Sequence, residues 1–364
     1  MPLTAPLPTA ESFGRTSAGE PVEVWRLTSP SGVTARVLTL GGILHALDVP
    51  DREGRPASVV LALSEVKEYE DRSPYFGALI GRYANRIAEG RFVLDGTRYE
   101  LPVNDRGHTL HGGPEGFHRR VWAAEPLPGA LRLTLRSPDG DMGFPGEVLV
   151  TATYTLAADG TLALDFEART NRPTIVNLTN HAYFNLAGAG HGDGTDGIAR
   201  HELRIDADRF LPVTDESIPL GPERDVAGTA FDFTSSRVIG PGLTDPDPQI
   251  AAAGGYDHCY VLRPAAGAAP RTAAVLRDPG SGRTMEVRTT EPGLQLYTGN
   301  FLDGSLSGAD GRPHTRYGGV CLETQHLPDS PNRPEYPSTT LRPGEVFRTR
   351  TEWVFPHLPA GGAS

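Results

Sequence analysis

The sequence is poor in lysine, in cysteine and in long apolar runs, and each shortage excludes a class of chemistry. Lys67 is the only lysine among 34 basic residues. It lies in a charged segment with no glycine-rich loop before it, so Schiff-base catalysis and P-loop phosphate binding, which both need a lysine, are close to excluded. Cys259 and Cys321 are the only cysteines, and they form neither a CxxC pair nor a disulfide framework.

Charge and hydropathy also limit the class of partner. The formal net charge is -11, and no strong run of one sign occurs. Nucleic-acid binding is therefore disfavoured, because phosphate recognition favours a basic patch. No apolar run approaches the roughly 20 residues that a membrane helix needs. Residues 1–6 also lack the basic and apolar regions of a signal peptide. We expect a cytoplasmic protein that binds neither nucleic acid nor a membrane.

Frequent turn residues predict a fold of many short strands. The chain has 43 glycines and 33 prolines, and they punctuate it roughly every 8 to 15 residues. Apolar and polar residues alternate clearly at 22–27, 131–135, 148–156, 162–168 and 346–354. Only 62–69 and 249–253 are suited to short helices. No repeat or domain boundary stands out, so residues 1–364 are predicted to form one all-β domain, a large β-sandwich.

The most informative segment is 177–186 (NLTNHAYFNL). An extended backbone would place His181, Tyr183 and Asn185 on one face of a strand and three apolar residues on the other. Histidine is the side chain best suited to exchange a proton near neutral pH. The segment therefore predicts an apolar underside packed on a core and a polar face that presents an imidazole to a cavity.

A second segment, 319–325 (GVCLETQ), carries a glutamate among apolar neighbours. Alternation places Cys321, Glu323 and Gln325 on the face opposite Val320 and Leu322. Burial there would raise the pKa of the carboxyl group toward that of a useful base. An exposed edge strand with a solvated glutamate stays open as the alternative. The cysteine is interpreted as a packing residue rather than a nucleophile.

Two loop segments carry side chains suited to oxygen-rich ligands. Asn85 and Arg86 follow a small apolar run, and a guanidinium offers five donors in a rigid fork. His111 precedes two glycines, which let backbone approach a ligand closely. A purely structural role stays open for Arg86. The histidines at 108, 111 and 118 match no metal-site spacing such as HExxH, so no metal is expected.

Two further strands present polar side chains in alternation. The carboxylate of Asp257 could accept hydrogen bonds from two adjacent hydroxyls, or it could cap the preceding turn. Gln295 points with Tyr297, and its amide suits a sugar hydroxyl because it both donates and accepts. An ordinary exposed strand is the alternative for that segment. The residues alone leave these roles undecided.

Six motifs together resemble the aldose 1-epimerase (galactose mutarotase) family. They are 81–87 (GRYANRI), 110–113 (LHGG), 180–186 (NHAYFNL), 256–258 (YDH), 295–301 (QLYTGNF) and 321–325 (CLETQ). Each motif alone is a weak signal, but the six occur in the family's order and the strand-rich flanks fit as well. The resemblance therefore covers nearly the whole chain.

The resemblance implies an antiparallel β-supersandwich with a sugar-binding cleft across one sheet. It implies interconversion of the α and β anomers of free hexoses, such as galactose or glucose, by acid–base ring opening and reclosure. His181 corresponds to the general acid and Glu323 to the general base. The positions implied to bind substrate are Asn85, Arg86, His111, Tyr183, Asp257 and Gln295. No cofactor or metal is implied, and members are monomers or homodimers.

Two departures from the family pattern point to sugar preference. Phe144, in the loop 139–146, stands where members often carry tyrosine, and residues 104–107 (NDRG) are less typical. For the reaction itself we hypothesise that Glu323 starts ionised and His181 protonated. Unperturbed pKa values near roughly 4.3 and 6.5 would leave the imidazolium a minority at neutral pH. A nearby carboxylate, with Asp257 as the candidate, would have to favour the cation.

Three alternative functions stay open. A sugar-binding protein would use the same cleft without turnover. A glycosidase would need a pair of carboxylates, for which Asp257 and Glu323 are conceivable. An epimerase of hexose 6-phosphates would call for more basic residues around the cleft than the pair Arg119 and Arg120.

Overall fold

Antiparallel strands dominate the computed structural model, which describes residues 5–189, 197–264 and 267–358. The strands of this described part are β1 Thr9–Arg15, β2 Pro21–Thr28, β3 Thr34–Leu38, β4 Leu44–Pro50, β5 Pro56–Ser58, β6 Leu79–Ile80, β7 Arg86–Ile87, β8 Arg91–Leu94, β9 Thr97–Glu100, β10 Thr109–Leu110, β11 Ala123–Leu127, β12 Ala130–Ser137, β13 Val148–Leu156, β14 Leu162–Thr170, β15 Thr174–Ile175, β16 Thr179–Asn180, β17 Tyr183–Phe184, β18 Glu202–Ile205, β19 Ala207–Phe210, β20 Arg224–Asp225, β21 Arg237–Val238, β22 Asp257–Leu262, β23 Arg271–Arg277, β24 Thr284–Thr289, β25 Gly293–Tyr297, β26 Val320–Gln325, β27 Thr340–Leu341 and β28 Phe347–Val354. The helices are α1 Val66–Asp71 and α2 Pro248–Ala253, with 3-10 turns at Ala88–Gly90, Phe117–Arg119, Asp141–Gly143, Gly240–Thr244 and Ser330–Asn332. The all-β prediction with few short helices is confirmed.

The segments with apolar and polar alternation form strands as predicted. They correspond to β2, β12, β13, β14 and β28. Burial along β13 alternates strictly, because one face of that strand packs on the core while the other is more open to solvent. The two segments suited to helices overlap α1 and α2.

Two large antiparallel sheets pack face to face. The larger has nine strands in the order β11-β12-β13-β14-β28-β24-β23-β18-β21, and the second has six in the order β17-β26-β25-β22-β19-β20. One core cluster joins Leu133 and Val150 of the first sheet to Leu296 and Leu322 of the second. The predicted antiparallel β-sandwich is therefore confirmed. A five-stranded sheet, β1 to β5, adds to it.

The six-stranded sheet turns its other face toward a polar pocket. On β26, Leu322 packs in the core between the sheets, while Cys321 belongs to a different cluster on the opposite side. Extended backbone places Glu323 on the same side as Cys321. One strand thus supplies both the packing that holds the sandwich together and a carboxyl group for the pocket.

The segment around His181 differs from the prediction of one continuous strand. β16 pairs with β6 and β17 pairs with β26, and His181 lies between these two short strands. The apolar underside is confirmed, since Ala182 and Phe184 are buried in the core. The side chain of Asn185, which was expected to face the cavity, hydrogen-bonds to backbone groups. It donates to the Gly318 carbonyl and accepts from the Ala187 N–H.

No helix among the described residues is long and apolar enough to cross a membrane. Residues 1–4, on which part of the signal-peptide argument rests, lie outside the described residues.

Candidate active site

A cavity of about 180 Å³ opens on the polar face of the six-stranded sheet. All eight predicted site residues line it: Asn85, Arg86, His111, His181, Tyr183, Asp257, Gln295 and Glu323. They come from segments far apart in sequence, so the fold brings together the side chains that the motifs indicated. This cavity is the candidate active site.

A larger cavity of about 860 Å³ lies elsewhere, and two of its charged residues, Arg283 and Asp278, hydrogen-bond to nearby backbone. The buried Arg283 donates to the carbonyls of Val49, Leu186 and Arg55. Asp278 accepts hydrogen bonds from the N–H groups of the loop that follows it. These contacts explain Arg283 and Asp278 as loop supports, and the smaller cavity, which collects the predicted site residues, is the better candidate for chemistry.

His181 and Glu323 form the centre of the site. Nε2 of His181 lies 3.7 Å from Oε1 of Glu323. Only 5% of the histidine and 2% of the glutamate surface is exposed. The contact follows from strand pairing, because Tyr183 of β17 is the register partner of Cys321 on β26. Oε2 of Glu323 is buried and has no hydrogen-bond partner among the described residues.

Burial shifts both members of this pair toward their neutral forms. It raises the pKa of Glu323 well above its usual range, and the nearby Asp257 adds to that rise while Arg86 opposes it. Burial lowers the pKa of His181 to about 4. Burial therefore favours a carboxylic acid at Glu323 and a neutral imidazole at His181.

These shifts oppose the hypothesis that the pair starts ionised, which stays a prediction. Asp257 gives little support to an imidazolium, because burial raises the pKa of its own carboxyl group while Arg86 opposes that rise. That carboxyl group is instead held by a hydrogen bond of 2.7 Å from Nε2 of Gln295 to Oδ1. Oε1 of the same glutamine is buried and has no hydrogen-bond partner among the described residues.

Asn85 and His111 are joined by a local backbone arrangement. Both have left-handed backbone, with φ of 63° and 52°. The N–H of Asn85 donates to Nδ1 of His111 at 3.1 Å. Burial lowers the pKa of His111 well below its usual range. A neutral imidazole that accepts at Nδ1 carries its proton on Nε2, so His111 is a hydrogen-bond donor at its other nitrogen.

Arg86 is held in place by an acid that the motifs did not include. Its Nε and Nη2 each lie 2.9 Å from Oδ2 of Asp105. Tyr183 is likewise fixed, because its hydroxyl donates to the Pro74 carbonyl at 2.9 Å. The tyrosine thus contributes a wall to the pocket, and its oxygen remains able to accept a hydrogen bond.

Seven further lining residues were not among the predicted site residues. They are Pro74, Tyr75, Asp105, Arg106, Leu110, Tyr297 and Phe301. The alternation of Tyr297 with Gln295 was a usable signal for one of them. No such signal was present for Tyr75. Its φ of 67° and its ring contacts of 4.6 Å to His111 and 5.6 Å to His181 depend on tertiary packing.

The two departures from the family pattern have different outcomes. Phe144 is buried against Tyr83 and Phe92 and lies outside the described pocket lining, so a direct effect on sugar preference is not supported. Asp105 and Arg106, from the segment 104–107, do line the pocket. Sequence variation at that segment can therefore reach a ligand.

A metal ion fits the site poorly. One ligand atom each from His111, His181 and Glu323 lie within 4.8 Å of one another. However, the Nδ1 lone pair of His111 already accepts from Asn85, and the remaining nitrogen of the neutral ring carries a proton. His111 would have to abandon that hydrogen bond to become a ligand. The expected absence of a metal stays a prediction.

These features define a class of protein: an antiparallel β-sandwich whose polar pocket holds a histidine and a glutamate within reach of one ligand. A family model described as aldose 1-epimerase matches residues 23–353. The chain belongs to the aldose 1-epimerase family. The resemblance found in the six motifs is thereby confirmed.

Named relatives agree with this assignment. The galactose mutarotase of Sus scrofa is 42% identical over 348 residues, which cover 95% of this chain and 98% of that protein. The aldose 1-epimerase of Escherichia coli (strain K12) is 37% identical over 340 residues, covering 93% and 96%. The solved structure of a galactose 1-epimerase from Lactobacillus acidophilus superposes with a TM-score of 0.83 at 28% identity, covering 96% of this chain and 98% of that one.

Proposed function

We propose that this protein interconverts the α and β anomers of free hexoses, with galactose and glucose as the first candidates. The observation that carries the proposal is the 3.7 Å approach of His181 Nε2 to Glu323 Oε1 at a buried site with hydrogen-bonding walls. Two oxygens bonded to one anomeric carbon lie closer together than that. The two side chains can therefore address the ring oxygen and the C1 hydroxyl of the same sugar.

The proposed reaction moves only protons and one C–O bond. Glu323 takes the proton of the C1 hydroxyl while His181 gives a proton to the ring oxygen, so C1–O5 breaks and C1 becomes an aldehyde carbon. Rotation about C1–C2 presents the other carbonyl face to O5. On reclosure His181 recovers the O5 proton and Glu323 returns its proton to O1. Each positioned acid or base typically contributes about 10² to 10⁴ in rate.

A neutral pair, which burial favours, can reach this reactive state by one proton shift. A carboxylic acid with a neutral imidazole contains as many protons as a carboxylate with an imidazolium. Burial favours the first arrangement. A sugar hydroxyl that donates to the unpartnered Oε2 of Glu323 favours the second, because hydrogen bonds to a carboxylate lower its pKa. Sugar binding therefore drives the proton from Glu323 to Nε2 of His181.

The remaining residues are proposed to hold the other hydroxyls. Asp257 and Gln295 offer two acceptor oxygens, and Arg86 and His111 offer donors fixed by Asp105 and by Asn85 respectively. Tyr183 supplies a ring wall. Both guanidiniums of the pocket, those of Arg86 and Arg106, pair with Asp105, which favours an uncharged sugar over a hexose phosphate.

The test is polarimetry of freshly dissolved α-galactose and α-glucose. Glu323→Gln and His181→Asn should each lower the mutarotation rate at least 10²-fold while sugar binding, measured by calorimetry, survives. Glu291→Gln is the matched control, because it also converts a buried carboxylate to an amide. Glu291 pairs with His326 outside the pocket. Near-native rates in either site variant would reject the assignment. Binding without any turnover in the native protein would favour a sugar-binding role instead.

Four broader properties belong to the same proposal. Residues 1–364 act as one domain, the protein is a monomer or a homodimer, and it works in the cytoplasm without a cofactor. Limited proteolysis, light scattering and cell fractionation test the first three of these, and assays in a chelator test the last.

A further inference from the structure

Cys321 contacts the histidine of the proposed acid–base pair from beneath. Its Sγ lies 3.6 Å from Nδ1 of His181. The other ring nitrogen faces Glu323 at 3.7 Å. Cys321 and Glu323 are two residues apart on β26 and share one face of it, so a single strand contacts both nitrogens of one imidazole.

The surroundings hold this contact firmly. Cys321 is fully buried, and its register partners are Tyr183 on one side and Tyr297 on the other. The ring of His181 lies 5.2 Å from that of Tyr183 and 6.5 Å from that of Tyr297. The imidazole of His181 therefore packs against one sulfur atom and two aromatic rings, and this packing limits the rotation of the imidazole. Burial also raises the pKa of the thiol well above its usual range, so it stays neutral.

The position of the ring proton of His181 decides whether Glu323 can transfer a proton to Nε2. A neutral imidazole has one donor nitrogen and one acceptor nitrogen. If the thiol donated to Nδ1, the only ring proton would sit on Nε2, and Nε2 could not receive a proton from Glu323. If sulfur accepts from Nδ1–H, the lone pair of Nε2 faces Glu323. Only the second arrangement allows the single proton shift described above.

We propose that Cys321 is a positioning residue whose sulfur accepts a hydrogen bond from Nδ1–H of His181 and so keeps Nε2 free for proton exchange. This inference rests on the proposed function for its purpose, but the tautomer it predicts exists without substrate. Histidines in catalytic and metal sites often have a carboxylate or carbonyl as this partner. Sulfur is a weaker acceptor, so it orients the ring with little increase in its basicity, and the imidazolium remains a strong acid toward the ring oxygen.

The experiment compares Cys321→Ala with Cys321→Ser and with Cys259→Ala. Cys259 is the matched control, because it is also buried in the same sheet but lies on β22, which β25 separates from β26, and packs on Leu211 and Leu327. Cys321→Ala should lower kcat roughly tenfold to a hundredfold, as loss of an orienting partner typically does, with KM changed less than threefold. Cys321→Ser should restore most of the rate, since its hydroxyl can accept from Nδ1–H. Thermal unfolding of each variant identifies any that fail to fold.

The decisive readout is the nitrogen NMR spectrum of histidine-labelled protein, with the His181 signals assigned from His181→Asn. In the native protein Nδ1 should appear protonated and Nε2 unprotonated at pH 7, and Cys321→Ala should shift this balance while Cys259→Ala leaves it unchanged. An unprotonated Nδ1 in the native protein overturns the inference, as does an unchanged spectrum and rate in Cys321→Ala. The spectrum can be recorded without turnover. Absence of mutarotase activity would therefore contradict the proposed function without deciding the tautomer of His181.

Discussion

At the scale of single residues, Asp105 decides how Arg86 is presented. It contacts Nε and Nη2 of the guanidinium at 2.9 Å, and the arginine side chain is only 8% exposed. A buried guanidinium held at two nitrogens keeps its remaining donors in a fixed direction. The motifs identified Arg86, but its partner lies 19 positions away in a loop without a recognised pattern.

We expect Asp105→Asn to raise KM for the sugar roughly tenfold while kcat changes less than threefold. The variant keeps the shape of the side chain but loses a charge-assisted hydrogen bond, which is worth about 1.5 to 3 kcal/mol. Asp95→Asn is the control, because Asp95 also contacts two guanidinium nitrogens, those of Arg342, at the exposed surface. Steady-state polarimetry measures both constants. A fall in kcat with an unchanged KM would show that Asp105 acts on the chemistry instead.

At the scale of elements, β26 serves the core with one face and the pocket with the other. Two-residue alternation in the sequence indicates such strands, which is why β13, β14 and β28 were predictable. The loop conformations were not, because the left-handed backbones of Asn85 and His111 depend on how β7 and β10 pair. Continuous extension through His181 was also wrong, since β16 and β17 pair with different strands.

Leu322→Ala should destabilise the protein by about 2 to 5 kcal/mol, the usual cost of removing a buried leucine side chain. Leu322 lies in the core between the two large sheets, on the side of β26 that faces away from the pocket. Leu149→Ala, at an exposed position of β13, should change stability by less than about 0.5 kcal/mol. Urea unfolding measures both. Equal losses in the two variants would contradict the sandwich packing described here.

At the scale of the whole molecule, buried histidines couple stability to pH. Burial lowers the pKa values of His45, His181 and His201 to about 4. In the unfolded chain each titrates near 6.5, so the unfolded state binds more protons as pH falls below that value. Stability is therefore present above pH 6.5 and is lost between about 6.5 and 4. Raised pKa values of buried carboxyl groups such as Glu323 and Asp257 offset part of this loss.

The expected result is a lower free energy of unfolding at pH 5 than at pH 7, measured by urea titration at each pH. A fully expressed shift of this size costs roughly 3 kcal/mol per histidine. His201→Gln, outside the pocket, should make the difference between the two pH values smaller. Greater stability at pH 5 would show that the carboxyl groups outweigh the histidines. None of these shifts could be anticipated from composition, since they arise from burial.

The one-proton relation between the two forms of the His181 and Glu323 pair has a consequence for the medium in which the protein works. In the proposed reaction the net charge of the pocket is the same before, during and after turnover, and the proposed sugar is uncharged. No counter-ion has to be taken up or released at any stage, so dissolved salt should have little effect on the reaction rate. Catalysis of this kind is suited to compartments whose ionic strength fluctuates.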